Sequence, residues 1–246
     1  MKLFNWQVKL GIILIILSAI VYLIHYAIFR DPHHIIIYLI GDIAFVFIEV
    51  LMVTLVIHSL LTMRERKERL EKLNMIIGVF FSEIGTRLLV HFSDSDPNIN
   101  KIKQDLVIDE GWSDDKFKSV CTKLRSYSYT VEIKKIDLKK LYNFLIGKRD
   151  FLLRLLENPN LLEHESFTNL LRAIFHLEDE LSNRKNLKNL PKSDYKHLSG
   201  DITRSYDLLV YEWLDYMHYL KNNYPYLFSL AMRTNPFDEE ANPEIL

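Results

Sequence analysis

A single cysteine, Cys121, stands in a chain of 246 residues, so neither an intramolecular disulfide nor a cysteine-based zinc site can form. It reads as a small buried hydrophobe in a domain kept in a reducing compartment. Glycine and proline are scarce, with 7 of each, which leaves few breakers and argues for long helices over sheets. Net charge is nearly absent, because 31 Lys and Arg against 32 Asp and Glu leave -1. No global basic field is available to a nucleic acid, and none is expected as a partner. A phosphate-binding Gly loop, a nucleophile elbow, an HExxH pair and a kinase signature are all missing. The commonest enzyme classes fall away with them, and neither a catalytic residue nor a cofactor is assigned.

What the chain does have is a hydrophobic content of 49% distributed very unevenly. Leu10 to Phe29 is an apolar run that spans about 30 Å as a helix, the thickness of a bilayer's hydrocarbon core. A cleaved signal peptide would have a shorter apolar core and a small-residue cleavage site, so the run is expected to be retained. Arg30-Asp31-Pro32-His33-His34 reads as a tight turn in which Pro32 blocks continuation of the first helix. A longer apolar run, Ile35 to Met63, follows and ends at Arg64-Glu65-Arg66-Lys67. Residues 1–63 are therefore expected to form a transmembrane hairpin with helices over about 10–29 and 35–63. Lys2 and Lys9 precede the first helix, Arg64, Arg66, Lys67, Arg69 and Lys72 follow the second, and only Arg30 lies between them. By the positive-inside rule both termini are cytoplasmic, in a multi-pass protein of the inner (plasma) membrane.

After the hairpin the pattern becomes that of a water-facing helical domain. A juxtamembrane helix is expected over 64–92, with Leu70, Leu73, Ile77, Phe80, Ile84 and Leu88 on one stripe and Gly78 and Gly85 one heptad apart. Ser93-Asp94-Ser95-Asp96-Pro97-Asn98 breaks it. Residues 93–246 then form the cytoplasmic helical domain. Trp112-Ser113-Asp114-Asp115 reads as an N-terminal cap for a helix through Arg125, and Asp137 can cap the next, Leu138 to Glu157, which stops at Asn158-Pro159-Asn160. Tyr127, Tyr129, Val131 and Ile133 alternate with polar residues but have no partner strand, so the stretch is an extended connector. Further helices are expected over about 164–183, 194–222 and 224–233, the last opened by Pro225. The fold class is all-α, an N-terminal transmembrane helical hairpin followed by a cytoplasmic α-helical bundle.

The phrases HYAIFRDPHHIIIYLIGDIAF, LLENPNLLEHESF and YPYLFSLAMRTNPF resemble those of a group of uncharacterised prokaryotic two-helix membrane proteins, over most of the chain. The resemblance implies a membrane protein with a cytoplasmic helical part. It implies no activity, cofactor or catalytic residue.

Polar residues inside the apolar runs are the first candidates for chemistry. Ser18, Tyr22, His25 and Phe29 share one face of the first helix, and Tyr38, Asp42, Phe45 and Glu49 share one of the second. Closing the hairpin at Pro32 sets Tyr22 level with Asp42, with His25 one turn nearer the outside. A lone carboxylate at mid-membrane costs about 2.5 to 3.5 kcal/mol on insertion scales, so Asp42 must be neutral or hydrogen-bonded. Glu49 falls opposite Ile15 and finds no ionic partner in its own hairpin. A hydrogen-bonded clasp joined to a second protomer, or a proton or cation pathway, would each account for such a pair.

Other candidates are weaker. His33 and His34, beside Asp31 and His25, offer imidazole and carboxylate to a divalent metal but lack the spacing of known zinc signatures. Asp194 with His197, and Asp215 with His218, each place a carboxylate and a histidine at i, i+3. With Glu165, His176, Glu178 and Glu212 available they evoke carboxylate-bridged metal bundles, but both pairs lie on one helix and the pattern is incomplete. Arg64, Arg66, Lys67 and Arg69 are a stop-transfer cluster able to meet anionic lipid headgroups, each worth about 1 kcal/mol near the surface. The expected protein is a non-enzymatic, homo-oligomeric anchor in a lipid bilayer. It carries a helical interaction or signal-relay domain for a cytoplasmic protein partner; the alternative is a small oligomeric ion or proton conductor using Asp42 and Glu49.

Overall fold

The computed structural model describes residues 2–159, 161 and 164–244, with the side chains of residues 2–5 and 7 excepted. Met1, the Lys2 side chain and Asn160 of the expected Asn158-Pro159-Asn160 stop lie outside the described residues. All the regular structure among the described residues is helical, and no strand occurs there. Two compact units divide between Arg66 and Lys67.

The first unit contains α1 (Lys2–Phe29) and the opening part of α2 (Pro32–Phe80). Their junction is shorter than the expected five-residue turn. Pro32 does not merely block the first helix: it is the first residue of the second, where a missing N–H costs nothing and a fixed φ suits helical entry. Asp31 caps that start, its Oδ1 accepting from the backbone N–H of His33 at 2.9 Å and of His34 at 3.3 Å. Arg30 completes the reversal in the left-handed region at φ 48, its N–H donating to the Tyr26 carbonyl at 2.8 Å. Residues 8–29 of α1 and the apolar part of α2 are each long and apolar enough to cross a membrane, and none of the most apolar stretch of either is buried. The apolar side chains lie all round both cylinders, so neither helix has one face to turn inward.

The second unit begins within α2, which runs without interruption past the expected boundary at residue 64 to Phe80. A π-helical turn over Phe81–Gly85 and α3 (Thr86–Ser93) continue the same path. Five of the six stripe residues, Leu73, Ile77, Phe80, Ile84 and Leu88, are buried, whereas Leu70 stays exposed. Gly78 is a site of close approach, since a Cβ there would meet the Tyr216 hydroxyl at 2.5 Å. Gly85 serves differently: a Cβ would strike the rings of Phe80 and Phe81, both of which the π turn directs into the core.

The remaining helices are α4 (Asp114–Arg125), α5 (Leu138–Ile146), α6 (Arg149–Leu156), α7 (Glu165–Ser182), α8 (Lys192–Asn223) and α9 (Pro225–Arg233). Within the expected Trp112–Asp115 cap it is Ser113 that accepts from the Lys116 N–H, and Asp137 accepts from those of Lys139 and Lys140 as expected. The single helix expected over 138–157 is two, because the chain closes α5 at Gly147 and restarts after Lys148. Lys148 then reaches Glu83 at 2.6 Å while Arg149 turns to Asp179 at 2.9 Å. Between α4 and α5 the chain is extended over 127–132 with a short 3-10 turn at Ile133–Lys135. Tyr129 and Val131 point into the core, and the Tyr127 hydroxyl donates to Asp96 at 2.7 Å.

Helix α8 is the centre of this unit, packing against α3, α4, α7 and α9. Its Leu198, Ile202, Tyr206, Leu209, Val210 and Met217 are fully buried. Burying each such aliphatic side chain contributes about 1.5 to 3 kcal/mol.

Candidate functional site

The hairpin candidates fall into two groups. The Tyr22 hydroxyl lies 3.5 Å from Asp42 Oδ2, within reach of a hydrogen bond but longer than a strong O–H···O contact. His25 lies next to this pair, its ring 4.8 Å from Phe29 and 5.9 Å from His34, which is itself 4.6 Å from Tyr38. Its Nε2 is buried without a hydrogen-bond partner among the described residues. The closed end of the hairpin is thus a small aromatic ladder leading to Asp42. Glu49 is exposed, and no described residue bonds to it. His33 and His34 sit on the first turn of α2, where their backbone N–H groups serve the Asp31 cap. Arg64, Arg66, Lys67 and Arg69 are all exposed on α2.

In the second unit the structure separates the residues that helical spacing paired. His218 Nε2 lies 2.7 Å from Asp114 Oδ1 on α4 and its ring stacks on Phe117 at 4.6 Å. That bond holds the Asp114 carboxyl below its ordinary value. Asp215 stays exposed and Glu212 is buried one turn earlier. Burial raises Glu212 to about 7, against a Ser166 hydrogen bond that lowers it. Glu178 is fully buried beside the Arg149 guanidinium. Asp194 is taken by Arg184, whose Nε and Nη2 meet its two oxygens at 2.9 and 2.5 Å.

Without Asp194, His197 turns to a different group. His176 and Glu180 lie one turn apart on α7, and His197 and Asp201 one turn apart on α8. The two pairs face each other. His197 Nε2 is 3.3 Å from Asp201 Oδ2 and 3.5 Å from Glu180 Oε2; His176 Nε2 is 3.8 Å from Asp201 Oδ2 and 3.8 Å from Glu180 Oε1. One donor atom each from His176, His197 and Asp201 lies within 4.8 Å of the others. Arg184 holds Glu180 in place at 2.7 Å and keeps its carboxyl low, chiefly through that bond. Sequence reasoning looked for acid-x-x-His and so missed His-Leu-x-x-acid, which occurs as His176-Leu177 with Glu180 and again as His197-Leu198 with Asp201. In both copies the leucine is buried and fixes which way the pair faces.

These observations define an all-helical protein with an uncovered apolar hairpin and a helical unit built on α8. Two family models match it: that of an MJ1433 N-terminal helical domain over residues 2–61 and that of an uncharacterized protein MJ1433 C-terminal helical domain over residues 69–233. The chain belongs to this MJ1433 family. It is 49% identical over 237 residues to "Uncharacterized protein MJ1433" of Methanocaldococcus jannaschii, a match covering 96% of this chain and 95% of that one. No solved structure matches the chain.

Proposed function

We propose that the protein is a non-enzymatic integral membrane protein, a two-helix anchor carrying a cytoplasmic helical domain that engages a protein partner or relays a membrane signal. The observation that carries the reading is the exposure of large apolar side chains on every side of the hairpin helices, among them Ile15, Leu23, Phe47, Leu51 and Leu61. In water such a surface would drive aggregation, whereas in hydrocarbon it is matched. The basic residues Arg64, Arg66, Lys67 and Arg69, which follow the apolar part of α2, and the single Arg30 between the helices favour cytoplasmic ends. Glu49 favours a homo-oligomer, because an exposed intramembrane carboxylate needs a donor that this hairpin does not supply.

The same carboxylate also supports a second reading, in which an oligomer conducts ions or protons past Asp42 and Glu49. Replacing Glu49 separates the two. As an interprotomer clasp, Glu49→Gln keeps the oligomer and Glu49→Leu weakens it by about 1 kcal/mol, the scale of an interhelical hydrogen bond in membranes. As a conducting group, Glu49→Gln already abolishes flux in reconstituted vesicles. The anchor reading predicts no flux from the wild-type protein under a pH gradient or voltage, and retention in the membrane pellet after an alkaline carbonate wash. Release of the full-length chain by that wash would contradict both readings.

A further inference from the structure

We infer that His176, His197 and Asp201, with Glu180 at the edge, form a binding site for one divalent transition metal of the zinc class, joining α7 to α8 beside the loop that connects them. The geometry comes first. A tetrahedral ion with bonds of about 2.0 to 2.2 Å sets neighbouring ligand atoms about 3.3 to 3.6 Å apart. One donor atom each from His176, His197 and Asp201 lies within 4.8 Å of the others, with Asp201 Oδ2 3.3 Å from His197 Nε2 and 3.8 Å from His176 Nε2. Glu180 faces the two imidazoles with different oxygens, Oε2 at 3.5 Å from His197 and Oε1 at 3.8 Å from His176. Two imidazoles and a carboxylate suit zinc and its neighbours, and the fourth position of the tetrahedron falls to water or to one Glu180 oxygen.

A second observation comes from Asp201. Its side chain is only 4% exposed, and its Oδ2 is buried without a hydrogen-bond partner among the described residues while aimed between the two imidazoles. Arg204 lies 3.5 Å from the other oxygen, Oδ1, so the orphan is the atom a metal would use. A buried carboxylate oxygen left unpaired is costly, and cations are what such atoms bind. Two carboxylates face the site, and Arg184, which buttresses Glu180, is itself neutralised by its two contacts with Asp194. Hydrogen bonding of a ligand carboxylate from outside the coordination sphere is how metal sites hold their ligands in position. The connection over 183–191 is short, so a metal here fastens the looped end of the α7–α8 pair on which the unit's core depends. The inference does not rest on the membrane reading and holds whatever surrounds the hairpin.

The test uses the full-length protein, purified without a polyhistidine tag, stripped with chelator and titrated with Co2+ and then Zn2+. One Co2+ per chain is expected, with the visible absorption of a four-coordinate nitrogen and oxygen site, displaced by Zn2+. His176→Ala and His197→Ala should each weaken binding more than about 100-fold, while the His33→Ala/His34→Ala variant binds like wild type. Asp201→Asn supplies a readout independent of folding defects. Metal-free, it should melt no lower than metal-free wild type, because the buried oxygen Oδ2 that lacks a hydrogen-bond partner is replaced or can be turned outward; with Zn2+ only the wild type should gain thermal stability. Less than about a tenth of an equivalent of Co2+ bound at micromolar metal would overturn the site. So would binding lost with His33 and His34 instead, or Zn2+ raising the melting temperature of Asp201→Asn as much as that of wild type.

Discussion

Residues 1–66 and 67–246 use the same helix and much the same apolar residues, but to opposite ends. In the first unit apolar side chains surround each cylinder and stay uncovered. In the second they form one stripe, and Leu73, Ile77, Phe80, Ile84 and Leu88 vanish into a core shared with α8. Helix α2 passes through both regimes without a break, so helix formation itself does not distinguish them. The distribution of apolar side chains around the axis does. A stripe finds its partner within the chain, and an all-round apolar surface must find it outside.

The sharpest way to press that comparison is to truncate one leucine in each unit. Leu209 is fully buried, and Leu209→Ala should cost about 3 kcal/mol through lost transfer energy and a cavity. Leu51 is 58% exposed, and Leu51→Ala should change the same unfolding transition by less than about 0.5 kcal/mol. Tryptophan fluorescence reads the difference, since Trp112 and Trp213 are buried in the second unit and Trp6 is exposed in the first. Equal effects would mean that the hairpin and the helical unit unfold as one.

An intermediate effect is expected from Glu212. Its folded-state value of about 7 lies above the ordinary 4.5, because burial disfavours the charged form. The folded chain therefore holds a proton that the unfolded chain has already released. The stability this contributes is complete below pH 4.5, declines as pH rises toward 7 and is lost above it. Glu212→Gln, which cannot ionise, should exceed wild type by about 2 to 3 kcal/mol at pH 8, and the gap should close on acidification. Melting temperatures of both proteins from pH 4 to about 8 check the sign. A gap constant with pH would remove the buried carboxyl from the account.

Smaller still is the effect of Gly78→Ala, which places a methyl against the Tyr216 hydroxyl and should cost about 1 to 2 kcal/mol. Tyr216 stacks on Phe81 at 5.6 Å, so its ring cannot simply leave. Adding Tyr216→Phe removes the closest atom and should restore part of the loss, a coupling that a double-mutant cycle measures. Additive effects would mean that α2 and α8 do not meet there.

Local signals in the sequence were read well wherever the physics is local. The caps at Ser113 and Asp137, the stripe along α2 and the alternation about Tyr129 all depend on neighbours within a turn or two. The reversal falls where the sequence predicts it but takes only Arg30 and Asp31, because Pro32 both stops the first helix and opens the second. The break at Gly147 was missed because one glycine inside an apolar period does not by itself end a helix; Lys148 and Arg149 reach different neighbours, and those are set by tertiary structure. The acid and histidine pairs failed for the same reason. Spacing says that Asp215 and His218 share a face, but not that Asp114, 104 residues away in sequence, receives the histidine. Nor does it say that Arg184 claims Asp194 and leaves His197 to Asp201 and Glu180.

The contrast between a covered and an uncovered half comes down to what surrounds residues 8–63, and cysteine accessibility in intact cells tests that most directly. With Cys121 first replaced by Ser, single cysteines are placed at His33, at Leu51 and at Arg69 and treated with a membrane-impermeant maleimide. The account predicts labelling at position 33 in intact cells, labelling at position 69 only after the cells are opened, and none at position 51 until detergent dissolves the membrane. Ready labelling at position 51 in opened cells without detergent would contradict a membrane-embedded hairpin, and labelling at 69 but not 33 in intact cells would reverse its orientation.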